Sequence, residues 1–310
     1  MRLRYAAPIL FVLAFSAAPA DAAIAVDGAL DAGYGAALVT QTTQTGQTSF
    51  GIVGDNTLGE LMNANGTELD EGYGVISDGA LHLFFSGNLA MQPNPVDPGT
   101  LEEFLLLFVD VGPGGLQALS GLPIWYVSWL GAADGLTFDD GFGADYGFDI
   151  VGNTLALPPN LHAERVDLTG SAPFVPVYLG ASLPGGPGTL SGGTNPHGVQ
   201  MTLDNRNTGG VTFGCGAASG AGVTTGMEWA IPLAAIGDPT GCVKVCALVI
   251  NKGKSVSNQV LGPVPVGTCP LGLASGVDFS AIAGNQYFTV CPGSVPVRAA
   301  TWGELKSVYR

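Results

Sequence analysis

The segment GYGVISDGALHLFFS, residues 72–86, decides the fold class. It contains two apolar stretches, 72–76 and 80–86, which are separated by Ser77-Asp78-Gly79. Asp-Gly between two apolar stretches is a strong hairpin signal, because both residues tolerate the positive φ angles of a tight turn. The segment therefore predicts a β-hairpin.

Other segments extend this β pattern along the chain. Residues 104–111 form a nearly continuous apolar run, which indicates a strand buried on both faces. Regular turn signals and the lack of a strand–helix alternation predict an all-β, jelly-roll-like antiparallel β-sandwich with long loops. Further extended segments are expected at 36–44, 124–130, 145–151, 174–179, 198–205, 226–231, 243–250 and 286–290.

Composition agrees with a β-rich chain. Glycine and proline account for 48 and 21 of the 310 residues, and they are the two least favourable residues inside a helix. Asp and Glu outnumber Lys and Arg 25 to 10, which gives a formal net charge of −15. Such a charge repels nucleic acid and anionic lipid, so we expect neither as a partner.

The N-terminus has the layout of a secretory signal peptide over residues 1–22. Arg2 and Arg4 precede a largely apolar run over 6–18, and Ala20-Asp21-Ala22 fits a small-x-small cleavage site. The run is shorter than the roughly 20 apolar residues that span a membrane. We therefore expect an exported protein, secreted or at the cell surface, with no membrane span after cleavage.

Residues 23–292 are expected to form a single β-sandwich domain, followed by a basic tail at 293–310. Within the tail, Thr301 and Glu304 have the spacing of a capping box. Trp302 and Tyr309 fall on one face of the helix that this spacing predicts. The tail is therefore expected to be a short helix.

Five cysteines are expected to include two disulfides, since export permits disulfide formation. Cys242 and Cys246 are about 13 Å apart if they lie on one strand, at ~3.3 Å per residue, which is beyond disulfide reach. We expect the pairs Cys215–Cys242 and Cys269–Cys291, with Cys246 reduced and buried, although four bridged cysteines allow other connectivities. The sequence has no CxxC motif, which disfavours zinc.

Several motifs occur in the same order as in an uncharacterised group of bacterial exported β-sandwich proteins, of the type found in Planctomycetes and PEP-CTERM genomes, and the chain resembles that group. In addition, VDGALD at 26–31 and GMEWAIPL at 226–233 resemble segments of family 9 carbohydrate-binding modules. The resemblance implies a secreted, sugar-binding-like sandwich over about residues 26–291, and it implies no catalytic residues. The motifs shared with the exported group are ELDEGYG at 68–74, LHLFFSGNL at 81–89, GLTFDDGFGADY at 135–146, SNQVLGPVPVGT at 257–268 and DFSAIAGNQYFTV at 278–290.

The densest acidic segment gives a candidate metal site. Asp139, Asp140 and Asp145 lie among glycines, and carboxylates with loop carbonyls supply the roughly six to eight oxygens that Ca²⁺ requires. The spacing matches neither an EF-hand loop nor a calcium-binding nonapeptide repeat. We expect a structural calcium here, or alternatively a solvated acidic turn whose Asp side chains cap local N–H groups.

Trp125 and Trp129 are the candidate ligand-binding residues. On a strand they share one face, and an exposed pair of this kind stacks on sugar rings. The alternative is that they fill the core, since aromatic side chains are mostly buried.

The expected function is that of a secreted, non-catalytic β-sandwich with a structural or binding role, and a glycan or a cell-surface component as its partner. The first alternative is a carbohydrate-binding module. The second is a glycoside hydrolase-like enzyme with a carboxylate pair, for which Asp139, Asp145 and Glu228 are the nominees. A structural hydrogen bond to a neighbouring loop is the simpler role for Glu228. No cofactor other than calcium is expected.

Overall fold

The computed structural model describes residues 23–45, 59–62, 64, 66–90, 103–122, 129–153, 158 and 160–293. The expected signal peptide, Trp125 and the tail beyond residue 293 lie outside the described residues. Within the described residues, 14 strands form two antiparallel sheets and no helix reaches seven residues. The expectation of an all-β fold with two packed sheets is confirmed.

The strands vary from two to ten residues in length. Five short 3₁₀ turns lie at Ala32–Tyr34, Leu130–Ala133, Leu233–Ile236, Ala274–Gly276 and Phe279–Ala281. The strands are β1 (Val39–Thr40), β2 (Glu68–Ser77), β3 (Ala80–Asn88), β4 (Glu103–Asp110), β5 (Tyr146–Asn153), β6 (Asn160–Asp167), β7 (Pro176–Ser182), β8 (Ser191–Gly192), β9 (Gln200–Leu203), β10 (Gly226–Pro232), β11 (Val243–Asn251), β12 (Ser255–Val260), β13 (Gly272–Leu273) and β14 (Phe288–Val290).

The strands divide into a small and a large sheet. The small sheet has the order β1-β2-β3-β10-β9, and the large sheet has the order β13-β12-β11-β4-β5-β6-β7-β8, with β14 also paired to β11. The expected hairpin is β2–β3, whose register pairs Ser77 with Ala80 across Asp78 and Gly79, both at positive φ. Each sheet combines strands from the first and second halves of the chain, so the two halves share a core.

The central core lies between the two sheets. Leu81, Leu83 and Phe85 alternate along β3 and all point inward, as the period of two in a strand requires. On the neighbouring β10, Trp229 is fully buried, and its ring packs edge-on against Phe148 of the large sheet at 5.8 Å between centroids.

A second apolar layer covers the outer face of the large sheet. Phe104, Leu106 and Phe108 of β4 point to this face, where the loops at 116–122, 129–142 and 264–282 pack on them. Leu105 and Leu107 point to the central core instead. This burial on both faces accounts for the unbroken apolar run, as the sequence predicted.

Side-chain amides connect the sheets along one edge. Gln41 donates from Nε2 to the Val260 carbonyl at 2.9 Å, and Asn258 donates from Nδ2 to the Gln44 carbonyl at 2.7 Å. These bonds replace part of a strand ladder. The extended segment expected at 36–44 is therefore a strand only at Val39–Thr40.

Two disulfides join Cys215 to Cys269 and Cys242 to Cys291, and Cys246 is buried and free. Two bridges and a free Cys246 were expected, but the pairing Cys215–Cys242 and Cys269–Cys291 is wrong. The reason is strand pairing: β14 lies beside the start of β11, which brings Cys291 next to Cys242. Disulfides fit a compartment outside the cytoplasm. Among the described residues, no helix is both long and apolar enough to cross a membrane.

We expect non-reducing peptide mapping to recover Cys215–Cys269 and Cys242–Cys291. Replacing both Cys242 and Cys291 by Ser should lower the free energy of unfolding by about 4 kcal/mol, because the bridge closes a loop with a sequence separation of 49 residues. Cys246→Ala, which breaks no bridge, is the control. Recovery of a peptide that links Cys215 to Cys242 would contradict the structure.

Candidate functional site

Two depressions lie near the end of the sandwich where β4 ends and β11 begins. The cleft lies between the glycine-rich segments 112–115 and 141–143, and its volume is about 630 Å³. The groove lies on the outer face of the small sheet, and its volume is about 740 Å³. Both are open to solvent. Loop backbone forms much of the cleft, whereas side chains of neighbouring strands form the floor of the groove.

Asp110 holds both walls of the cleft. Its Oδ1 accepts a hydrogen bond from the Gly112 amide at 3.1 Å, and its Oδ2 accepts one from the Gly143 amide at 3.2 Å. Lys244, its cross-strand neighbour on β11, donates from Nζ to Oδ2 at 2.9 Å and also to the Gly141 carbonyl. The buried carboxylate is thereby compensated by an ammonium group at the floor of the cleft.

Backbone rather than side chains forms much of the cleft wall. A Cβ atom on Gly143 would overlap the Gly114 carbonyl, so the two walls approach closely only because glycine stands there. A Cβ atom on Gly112 would meet no atom within 4 Å, so this residue faces open space. The cleft is therefore bordered by peptide groups, each of which is a donor or an acceptor.

Gln117 and the ring of Phe142 line the cleft, and Tyr287 packs beside Phe142. Gln117 lines the cleft and donates from Nε2 to Asp140 Oδ1 at 3.1 Å. The Tyr287 ring lies 5.8 Å from Lys244 Nζ and packs on Phe142 at 5.4 Å between centroids. A carboxylate, an ammonium group, an amide and an aromatic ring are thus brought together.

The three aspartates predicted to bind calcium do not share one ligand set. Asp139 Oδ2 accepts from the Gln286 amide at 2.5 Å, and Asp145 Oδ2 accepts from the Val111 amide at 2.9 Å. Burial raises the pKa of both carboxyls. Asp140 is exposed and bonds to Gln117 instead.

Lys244 is the cation that the structure places at this acidic segment. No group of three or more His, Cys, Asp or Glu side chains within the described part of the chain is arranged to hold a metal ion. Asp139, Asp140 and Asp145 each have a different backbone or side-chain partner in the structure. Calcium binding itself stays a prediction.

Trp129 is half-buried and already stacked. Its ring lies parallel to that of Phe104, at 4.5 Å between centroids and an interplanar angle of 6°. The Lys252 ammonium lies 5.5 Å from its centroid. A sugar ring therefore finds one face of Trp129 already occupied. Trp125, the other residue of the expected pair, lies outside the described residues.

The groove is a row of cross-strand neighbours on the outer face of the small sheet. Val75, His82, Ala230 and Gln200 lie side by side on β2, β3, β10 and β9. The small Ala230 side chain makes the floor low between His82 and Gln200. Burial lowers the pKa of His82, so the imidazole is neutral at pH 7.

One wall of the groove is an N-terminal segment that Glu228 holds in place. The buried Glu228 accepts from the amides of Asp27 and Gly28 through Oε2, both at 2.9 Å, and from the Tyr34 hydroxyl through Oε1, also at 2.9 Å. We call these contacts the Glu228 clamp. The Tyr34 ring packs on Phe84 at 5.9 Å, which covers the rest of the outer face. Ile24 and other residues of this segment border the groove.

Asp149 and Glu164 form a buried carboxyl pair, and a carboxyl pair is what the alternative of a glycoside hydrolase-like enzyme requires. They lie opposite each other on β5 and β6, and both are fully buried. Burial raises the pKa of both, and the Asp149 charge raises that of Glu164 further, so Glu164 is protonated at pH 7. Asp149 Oδ2 accepts from the Trp129 amide at 2.9 Å. The pair anchors a loop. In a glycosidase the two carboxyl groups lie on either side of the bound sugar, and this fully buried pair leaves no room for one.

The sequence analysis did not single out Asp110, Lys244, Gln117 or His82. Asp110 ends the apolar run and precedes a Gly-Pro-Gly-Gly segment, and Lys244 is one of only ten basic residues. These two features of the sequence could have pointed to Asp110 and Lys244. No protein-family model, no curated protein and no solved structure matches the chain.

We expect the protein to lose stability as pH rises from about 4.5 to 8. Burial raises the pKa of Glu103 to about 8 and that of Glu228 to about 7, and it also raises that of Glu164. When the folded pKa of a carboxyl lies above its unfolded pKa, the folded state holds the proton more tightly than the unfolded chain does. The free energy of unfolding is then greatest below the unfolded pKa, and it falls as the pH rises toward the folded pKa. Each such group therefore lowers the free energy of unfolding by up to about 1.4 kcal/mol per pH unit between its unfolded and its folded pKa.

Glu164→Gln should reduce the fall in stability with pH. The Gln amide can donate to Asp149 as the protonated Glu164 does, but it does not titrate. Thermal unfolding between pH 5 and pH 8 measures the effect. Asp238→Asn, at an exposed carboxyl, is the control and should leave the slope unchanged. A wild-type melting temperature that rises with pH over this range would contradict the assignment.

We expect Glu228→Met to lower the free energy of unfolding by about 3 kcal/mol, because it leaves the donors of Asp27, Gly28 and Tyr34 without their acceptor. Glu228→Gln keeps one oxygen and adds a donor that the Tyr34 oxygen accepts, so its loss should be about 1 kcal/mol. Amide hydrogen exchange at Asp27 and Gly28 should accelerate in the Met variant. Equal exchange in the wild type and Glu228→Met would exclude the clamp.

Proposed function

We propose that the chain is an exported, non-catalytic β-sandwich protein that binds a neutral saccharide in the cleft. The observation that carries the proposal is the Asp110–Lys244 ion pair at the floor of a glycine-walled cleft. Ligand sites are concave and combine apolar surface with a few fixed polar groups, and the cleft has this composition.

The polar groups of the cleft match sugar hydroxyls. A carboxylate only accepts hydrogen bonds, an ammonium group only donates them, and a hydroxyl does both. One hydroxyl can therefore accept a hydrogen bond from the Lys244 ammonium group, which Asp110 holds in place. Gln117, which has a donor and an acceptor on one side chain, adds a second contact at the rim. Phe142, the aromatic residue that lines the cleft, offers apolar surface to the C–H side of a sugar ring.

Charge supports a neutral ligand. The ion pair at the floor has no net charge, and Asp140 adds a negative charge at the rim. The whole chain carries a formal net charge of −15, which disfavours approach of an anionic ligand.

Two features support export. The first 22 residues have the pattern of a signal peptide. The two disulfides require an oxidising compartment to form and persist. The resemblance to exported β-sandwich proteins supports the same assignment.

The non-catalytic part of the proposal rests on how the nominated carboxyls are used. Asp139, Asp145 and Glu228 each accept hydrogen bonds from backbone amides and hold loops in place. A glycosidase needs one carboxyl of raised pKa and a second one across the bound sugar. Asp139, Asp145 and Glu228 do not form a pair of this kind across the cleft.

We expect Gly112→Trp to abolish saccharide binding, because its side chain would fill the cleft from an open position. Gly209→Trp is the matched control: a Cβ atom there also meets nothing within 4 Å, and Gly209 lies beside Asn207 at the other end of β2. The measurement is a glycan array on the mature chain, followed by calorimetric titration of each hit.

Lys244→Met should weaken binding by about tenfold, since it removes a hydrogen bond to a charged group. Gly112→Trp must keep the wild-type melting temperature within the error of the control. Lys244→Met leaves the buried Asp110 without its ion-pair partner and should lower the melting temperature, so its binding is measured well below that temperature. Retention of wild-type affinity in both Gly112→Trp and Lys244→Met would sink the proposed site.

A further inference from the structure

The described chain ends at the edge of the groove. Gly293 is the last described residue, and it lines the groove together with Ile76 of β2. Its neighbour Pro292 forms a parallel bridge with Ile76, and the Cys242–Cys291 disulfide ties the residue before that to the start of β11. The tail at 294–310 therefore begins at a fixed point on the rim of the groove.

The groove floor is an apolar strip between uncharged polar side chains. Val75 and Ala230 lie in one cross-strand row with His82 and Gln200, and burial lowers the pKa of His82, which keeps the imidazole neutral. The row runs from β2 to β9 over three strand spacings, or about 14 Å at ~4.8 Å each. The floor is thus wide enough for one short element and offers it apolar contact.

The tail is expected to carry an apolar face of matching length. The capping box predicts a helix over 301–310, on which Trp302, Leu305 and Tyr309 share one face. At ~1.5 Å per residue this helix is about 15 Å long, which is close to the width of the groove floor. A helix of fewer than about 12 residues is marginal in water by itself, so its stability depends on packing of that face.

The charges of the tail and of the groove are complementary. Asp78 is the one charged side chain among the described residues that line the groove. The Asp31 carboxylate accepts from the Ala25 amide at 2.7 Å, beside Ile24 in the N-terminal wall. Complementary charges at the rim of an apolar contact favour the right orientation. The tail is basic in a chain of net charge −15, and its charged residues are Arg298, Glu304, Lys306 and Arg310.

We propose that residues 294–310 dock in the groove of their own chain. The spacer at 294–300 leads from Gly293 over the groove, and the helix at 301–310 packs its Trp302 face on Val75 and Ala230. The tail of the same chain is the occupant because a short tether at the rim gives a local concentration of roughly millimolar, which a second copy does not reach. The groove shares no lining residue with the cleft, so this docking is independent of saccharide binding.

Amide hydrogen exchange of the full mature chain tests the docking. The amides at 305–308 follow the first turn of the helix and have intrahelical acceptors, so they report on whether the helix forms. Their exchange should be at least tenfold slower in the wild type than in Trp302→Ser, which lacks the largest side chain of the apolar face. The rates should be the same at low and high chain concentration.

Two groove variants locate the contact. Ala80→Trp and Gln200→Trp add bulk at half-buried positions that line the groove, and they should restore fast exchange at 305–308. Ala221→Trp, at an exposed position outside the groove, is the matched control and should leave the tail protected. Slow exchange along β4, inside the large sheet, shows that each variant has folded.

Each outcome decides the proposal. Slow tail exchange that is independent of concentration, lost in a folded groove variant and kept in Ala221→Trp supports docking in the groove. Equal exchange at 305–308 in the wild type and Trp302→Ser overturns it. So does protection that survives in both groove variants, protection that is lost in Ala221→Trp as well, or protection that grows with chain concentration and so comes from a second copy.

Discussion

The Glu228 clamp is the interaction on which the shape of the outer face of the small sheet depends. One buried carboxylate takes two backbone amides and a tyrosine hydroxyl, and so holds the N-terminal segment across half of the outer face of the small sheet. The other half stays open as the groove. The clamp also joins two segments that are distant in sequence, 26–31 and 226–233, because each supplies one partner of the same contact.

The protein handles its excess of acidic residues in three ways. Asp110 is neutralised by Lys244, Glu228 is satisfied by fixed N–H and O–H donors, and Glu164 keeps its proton. Only the first of these leaves a cation beside open space. This makes the end of the sandwich near Asp110 chemically distinct, because the partly exposed ammonium group of Lys244 has N–H donors to offer to a ligand.

The sequence predicted the fold wherever side-chain pattern and local turns decide structure. The β2–β3 hairpin follows from Asp78-Gly79, and β4 follows from its apolar run. The sequence did not predict β6 or β12, because polar residues that are buried interrupt their apolar pattern: Glu164 lies opposite Asp149 on the neighbouring strand, and Asn258 bonds to the N-terminal segment. The cysteine pairing and the Asp110–Lys244 pair failed for a related reason. Both depend on which strands lie side by side, and spacing along the chain does not specify this.

Amide hydrogen exchange of the mature chain, with and without a saturating saccharide identified by the array, tests the central claim most directly. The account predicts slower exchange at 112–117 and 141–143 and no change at 207–211 at the other end of the sandwich. Protection confined to 207–211, or an unchanged pattern at 112–117 and 141–143 in the presence of bound ligand, would contradict it.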